Sequence, residues 1–245
     1  MRAWLLTVAT LAMVPAWAAS PAGEVMLATG MATAKAPQGA VRELHKGSEV
    51  FAGDLIASGP NSYLDMRFAD GGYVLLRPET RFRIDAYAYT PPAEAADATP
   101  APRKRDQADD AAHPPSRALL RLLKGGLRAV SGSIGKQAGD EYQMDTPQAT
   151  IGIRGTDYFA VLCESDCVTD PTLVSALPPG SAPAGSLITG VYQGGIDVRA
   201  RAVGVTAVNA GDYLVTLTTG AQLKLPSLPR FLLVDPLPNP KNCAP

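Results

Sequence analysis

The chain has 245 residues, 46% of them hydrophobic, with 22 Lys and Arg against 23 Asp and Glu and a formal charge of −1. Such a near-neutral chain offers no general electrostatic reason to bind nucleic acid, so that class of partner is set aside. Its 23 glycines and 22 prolines exceed the usual share without reaching that of a disordered chain, which fits a fold with many turns.

The N-terminus speaks to compartment. Arg2 supplies a positive charge, Leu5 to Val14 an apolar run, and Ala16-Trp17-Ala18 a small-x-small pattern, together the layout of a secretory signal peptide over residues 1–18. The run is short of the roughly 20 residues that a membrane span needs. No cysteine lies near the cleavage point before Ala19, so a lipid anchor is not expected. The expectation is a periplasmic, or secreted, product with no membrane span after cleavage and a charge of about −2, since Arg2 leaves with the signal.

Strand patterns then follow in order. Glu24 to Ala34 alternates loosely around Gly30, and Val41 to Leu44 is a second short apolar stretch. Gly53-Asp54 sits between apolar flanks and reads as a bulge or turn within a strand pair. Tyr63 to Phe68 places Leu64, Met66 and Phe68 on one face and Asp65 and Arg67 on the other. Asp70-Gly71 flanked by alternating apolar residues is a hairpin signal, and Arg81 to Tyr87 directs Arg81, Arg83 and Asp85 outward. Thr90 to Ser116 breaks the pattern: six prolines, much alanine, mixed charge and nothing apolar larger than alanine. It reads as a disordered linker over 90–116 inserted within one structural unit. Arg103-Lys104-Arg105 within it is more economically a solvated charge run than a contact patch.

Beyond the linker, Leu119 to Leu123 fits either a strand or a helical turn, and Leu127 to Ile134 a strand broken at Gly132. Met144 to Val161 reads as two short strands joined by a polar turn at Arg154-Gly155-Thr156-Asp157, with positive φ expected at Gly155. Pro147 suits a strand start or an edge. Ile151 and Ile153 share one face, as do Phe159 and Val161. Pro171 to Ala184 is expected to be an exposed loop, Gly194-Gly195 a hairpin turn, and Tyr213 to Leu225 two further strands. Residues 226–245 form a proline-rich tail, packed as extended chain or loose. Ala-Gly-Asp occurs at residues 52–54, 138–140 and 210–212, at unequal intervals of 86 and 72 residues. That is a weak recurrence with no strict repeat period. In each, glycine permits a bend and the aspartate (Asp54, Asp212 with Gly211) can bond the backbone beyond it.

Two cysteines, Cys163 and Cys167, lie in one polar loop, where an oxidising compartment favours a disulfide between them. Pairing of either with Cys243 is the alternative. A zinc site lacks ligands, since the only histidines are the distant His45 and His113. No nucleophile elbow, phosphate-cradling loop or dinucleotide fingerprint occurs, so neither catalysis nor a cofactor is expected.

Taken together, Gly53-Asp54, Asp70-Gly71, Thr146-Pro147 and Ile153-Arg154-Gly155-Thr156 resemble the FecR domain, over about Gly47–Phe82 and Leu123–Gly211. The resemblance implies an all-β, exported module, similar to a twisted β-solenoid or a sandwich-like array of short strands, that receives protein contacts. Family members in iron-transport signalling add a cytoplasmic anti-sigma region and a membrane span. This chain is not expected to have either, so direct sigma-factor control is not carried over. The function implied is contact with an envelope or outer-membrane protein, with Arg154 and Asp157 as candidate interface residues, exposed and tolerant of substitution. Recognition of cell-wall or capsule glycan is the alternative, and it would call for a cluster of solvent-facing aromatic residues.

Overall fold

A computed structural model describes residues 20–91, 116–136, 141–200 and 204–242. The expected signal segment, nearly all of the proline-rich insertion, the middle Ala-Gly-Asp and Cys243 lie outside the described residues. The first half of the chain forms β1 (Gly23–Ala28), β2 (Ala32–Lys35), β3 (Val41–Glu43), β4 (Glu49–Val50), β5 (Leu55–Ser58), β6 (Leu64–Phe68), β7 (Tyr73–Leu76) and β8 (Arg81–Ala88). The second half forms β9 (Arg117–Lys124), β10 (Gly126–Val130), β11 (Tyr142–Asp145), β12 (Ala149–Leu162), β13 (Leu187–Ala200), β14 (Val205–Asn209), β15 (Tyr213–Thr216) and β16 (Gln222–Leu225). The chain is all-β, as expected, and the strands make one curled sheet.

The long strand β12 organises this sheet. Its first half pairs with β11, which leads outward through β9, β8, β5 and β2 to β3. Its second half pairs with β10, which leads through β7, β6 and β1 to β4. The register of β12 shifts between Arg154 and Asp157, and there the sheet folds over into two facing layers. Along its other edge β12 pairs with β13, whose first half carries β15 and whose second half carries β14.

Period-two alternation fills the space between the layers. Ile56, Phe82, Ile84, Leu122, Met144 and Ile151 from the first layer meet Val25, Leu64, Met66, Val74 and Leu127 from the second. Each such side chain contributes about 1.5–3 kcal/mol by leaving water. After the bulge the inward set becomes Tyr158, Ala160 and Leu162, and Phe159 and Val161 point to the outside of the second layer.

That outside is a second core. Leu75, Phe159, Val161, Ile188 and Val215 are covered there by Leu173, Phe231, Leu232, Leu237 and the cystine. Cys163 and Cys167 are bonded, with α-carbons 5.5 Å apart. The expected exposed loop after them begins instead with a helix, α1 (Pro171–Ala176). The Asp170 carboxylate accepts from the Thr172 and Leu173 amides at 2.9 and 3.3 Å, and Pro171 stands at the first turn, which has no use for its missing N–H. Over residues 226–242 the tail packs against this core, and part of it is helical instead of extended. It forms α2 (Arg230–Val234), whose Phe231 amide donates to the other Asp170 oxygen at 2.8 Å. Arg77 then donates to both Asp166 and Asp235 at 2.9 Å, tying the cystine loop to the tail. Although burial works against its charge, hydrogen bonds from Tyr63 and Arg77 hold the Asp235 carboxyl below the ordinary range. Burial, and then the same contact, push the Tyr63 hydroxyl up to about 12.

The insertion spans the turn of an antiparallel pair. Ala88 pairs with Arg117, and the Thr90 amide donates to Ser116 Oγ at 3.0 Å. The strands on either side of it therefore belong to one sheet.

Candidate interaction surface

The residues singled out in the sequence fall into two groups. Most are turn-formers spread over the molecule. Gly53 (φ +89°) and Asp54 turn the chain from β4 into β5, and the buried Asp54 carboxylate holds the Phe51 amide and the Arg42 guanidinium. Asp70 and Gly71 (φ +82°) make the β6–β7 hairpin, with Asp70 accepting from the Gly72 and Ile134 amides at 3.0 and 3.2 Å. Gly211 (φ +86°) and Asp212 link β14 to β15. The structure does not bring these three turns into one site.

The second group converges. Thr146 and Pro147 turn β11 into β12, the Thr146 hydroxyl donating to the Ala149 carbonyl at 2.8 Å while its oxygen accepts the Ala149 amide at 3.0 Å. They line an open depression of about 380 Å³ with Arg121, Asp145, Thr150 and Arg199. Next to it, a second depression of about 220 Å³ is lined by Gln143, Thr150, Gly152, Arg154, Asp197 and Arg199. Both lie on the outer face of the first layer, since Ile151, Ile153 and Val198 point into the core from the alternate positions. Thr150 donates to Asp145 at 2.7 Å, and Arg154 pairs with Asp197 at 3.3 Å while remaining mostly exposed.

Three expectations are corrected. Arg154-Gly155-Thr156-Asp157 is a bulge within one 14-residue strand, not a turn between two, and Gly194-Gly195 is the matching irregularity in β13, not a hairpin turn. Thr156 pins the pair, its hydroxyl donating to the Gly195 carbonyl at 2.6 Å and its amide to Ser131 Oγ at 2.8 Å. Positive φ is present at Gly155, +57°, and at Gly194, +82°. Asp157 is not an exposed interface residue. It is buried, gripping Arg128 through two hydrogen bonds of 2.9 Å. The bulge shifts the side-chain alternation and places Asp157 on the outside of the second layer with Phe159 and Val161, where the tail covers it through Arg128 and Leu237.

A β-carbon at Gly155 would meet nothing closer than 3.7 Å, so conformation alone restricts this position. Gly155→Val is expected to lower stability by about 2 kcal/mol, the upper end of the left-handed penalty, because a β-branched side chain is poorest there. Gly155→Asn should lose less than half as much, as asparagine tolerates that region. Chemical denaturation of both variants checks this, and equal losses would mean that space rather than φ limits the site.

Arg121 and Arg199 had not been singled out beforehand. Alternation alone places each outward, but their meeting depends on the parallel pairing of β9 with β11, which no local pattern encodes. Among the described residues no group of three or more His, Cys, Asp or Glu is placed to hold a metal ion, and no helix is long and apolar enough to cross a membrane.

The family model for FecR protein matches residues 54–175, from β5 through α1. The chain carries a FecR domain. Thr146, Pro147 and Arg154, the motif residues that line the two depressions, fall inside the matched span, whereas Arg199 of the same surface lies beyond it. No curated protein is similar in sequence. Among solved structures, two crystal structures of a candidate anti-sigma factor from Parabacteroides distasonis ATCC 8503, at 2.50 and 1.65 Å, are 14% identical, with TM-scores of 0.43 and 0.42. The alignment covers 69% of this chain and 58% of theirs, so the chain spans little more than half of their length.

Proposed function

We propose that this FecR-domain chain is an exported protein-interaction module, cleaved after Ala18 and periplasmic, that takes part in envelope signalling or assembly through contact with a partner protein and without catalysis of its own. The observation that carries the reading is that Thr146, Pro147 and Arg154 of the FecR-like motif line two adjoining, open depressions, while Ile153 and Thr156 of the same motif serve the core and the pairing of β12 with β13. The polar side chains meeting there are arginines, aspartates, threonines and Gln143, with no histidine or cysteine among them. Neither depression contains an aromatic ring, the surface on which sugar rings would stack, so a protein partner is favoured over a glycan.

Gly152 offers a direct test. A β-carbon there would approach no atom closer than 3.8 Å and the position does not need positive φ, so a large side chain can fill the second depression with the fold intact. A photocrosslinking residue at Thr150 in native cells is expected to capture an envelope protein, and Gly152→Trp to abolish that capture at unchanged melting temperature. Capture that survives Gly152→Trp would move the contact elsewhere, and no captured protein at all would remove the interaction reading.

A further inference from the structure

Seven strands lay a row of side chains across the outer face of the first layer. Lys35 stands opposite Leu55, Leu55 opposite Arg83, Arg83 opposite Arg121, Arg121 opposite Asp145, Asp145 opposite Thr150, and Thr150 opposite Arg199. With neighbouring strands about 4.8 Å apart, the row from Lys35 to Arg199 runs roughly 30 Å. Arg81 and Arg154 flank it on the same face.

Carboxylates neutralise only part of this charge. Asp85 pairs with Arg83 and, at 2.7 Å, with Arg121; Asp145 lies 3.8 Å from Arg121; and Asp197 holds Arg154. Lys35, Arg81 and Arg199 have no ion-pair partner among the described residues and are exposed. A chain with a slight excess of acid thus concentrates cations on one face, at the groove that the FecR motif lines.

Resting on the interaction reading above, we infer that this face docks an extended, acidic segment of the partner protein, lying across the strands from Lys35 to Arg199. Charge complementarity selects the occupant. Arginine forks fit carboxylates in two-point contacts, and the unpaired cations, Lys35 and Arg199 at the two ends of the row with Arg81 beside it, can meet separate acidic side chains of one extended chain. The apolar side chains on the face, Val41, Leu55, Leu123 and Val205, are set apart from one another by charged and polar ones and are too dispersed to carry a hydrophobic contact.

The test uses the mature full chain and a fluorescent twelve-residue oligoglutamate peptide, with oligolysine and polygalacturonate as comparisons. Oligoglutamate is expected to bind at low salt, to weaken steeply as salt screens the contact, and to bind about tenfold or more weakly to the Lys35→Glu/Arg199→Glu variant. Neither side chain supports the fold, so the variant's melting temperature should match that of the parent. Equal binding by both proteins, or no binding by either, overturns the acidic-segment inference. Tighter binding of polygalacturonate overturns it in favour of an anionic glycan. Capture at Thr150 reports separately on the interaction reading: capture with no oligoglutamate binding leaves a protein contact of another chemistry, whereas oligoglutamate binding with no capture leaves a basic face without a protein partner.

Discussion

Asp157→Ala is expected to destabilise the protein by about 3–5 kcal/mol, the loss that follows when one half of a buried ion pair is removed. Only 12% of the Arg128 side chain and 10% of the Asp157 side chain remain accessible. Both carboxylate oxygens are used, by Arg128 Nε and Nη2 at 2.9 Å, and Nη1 donates to the Leu237 carbonyl at 2.8 Å. The Tyr192 ring packs 3.9 Å from the guanidinium carbon. Deleting the carboxylate leaves a cation that this site cannot hydrate, and the melting temperature should fall by roughly 10 °C for a domain of this size. The double variant Asp157→Leu/Arg128→Met should recover most of the loss, because it removes both charges and keeps the volume. A single-variant loss under about 1 kcal/mol would mean that water reaches Arg128 after all.

The second large effect is one of pH. Asp65 is fully buried on the covered side of the second layer, with no side-chain partner and only the Met66 backbone to favour its charged form. Burial pushes its pKa from 3.8 up to about 7. Between those values the unfolded chain has released the proton that the folded chain retains, so folding favours acid. Its contribution to stability is complete below about pH 4 and is lost as pH rises through 7, a change of about 4 kcal/mol. Asp235, with its lowered pKa, works in the opposite sense and only below about pH 4, so the windows do not overlap. Asp65→Asn is therefore expected to flatten the stability profile between pH 4 and 7 and to exceed the parent in stability at pH 8. Urea midpoints across that range decide it, and a parallel profile for the variant would show that Asp65 does not titrate there.

Asp65 also shows where sequence patterns stop being legible. The alternation of Leu64, Met66 and Phe68 correctly marks an inward face in β6. It assigns Asp65 to solvent only if the other face is open, and that face is closed by a tail some 170 residues downstream. The tail's helix was hidden by its prolines, although Pro229 and Pro240 merely bound it and the following turn. Local chemistry reads well where one residue type has one use, as with the Asp70-Gly71 hairpin and the short Cys163–Cys167 loop. Gly155 and Gly194 are different. A glycine with positive φ serves a turn or a bulge equally, and only the pairing of β12 with β13 decides between them. For the candidate surface, Arg154 and Thr146-Pro147 are visible as a motif. The cationic row is not, because it exists only once strands distant in sequence have taken their register.

The fork at Arg77 bears on the order in which the molecule is finished. Its two acceptors stand 89 and 158 residues further along the chain. The inner core draws on residues no later than Leu214, whereas the outer cluster needs Phe231, Leu232 and Leu237. During synthesis the two-layered body can therefore close while Leu75, Phe159 and Ile188 still lack the share of their cover that the tail supplies. Until the last few dozen residues arrive, the nascent protein bears an uncovered apolar patch of the kind through which partly folded chains associate with one another. A chain cut short at residue 229 would be left permanently in that state, holding its sandwich core but sticky on the side opposite the cationic row.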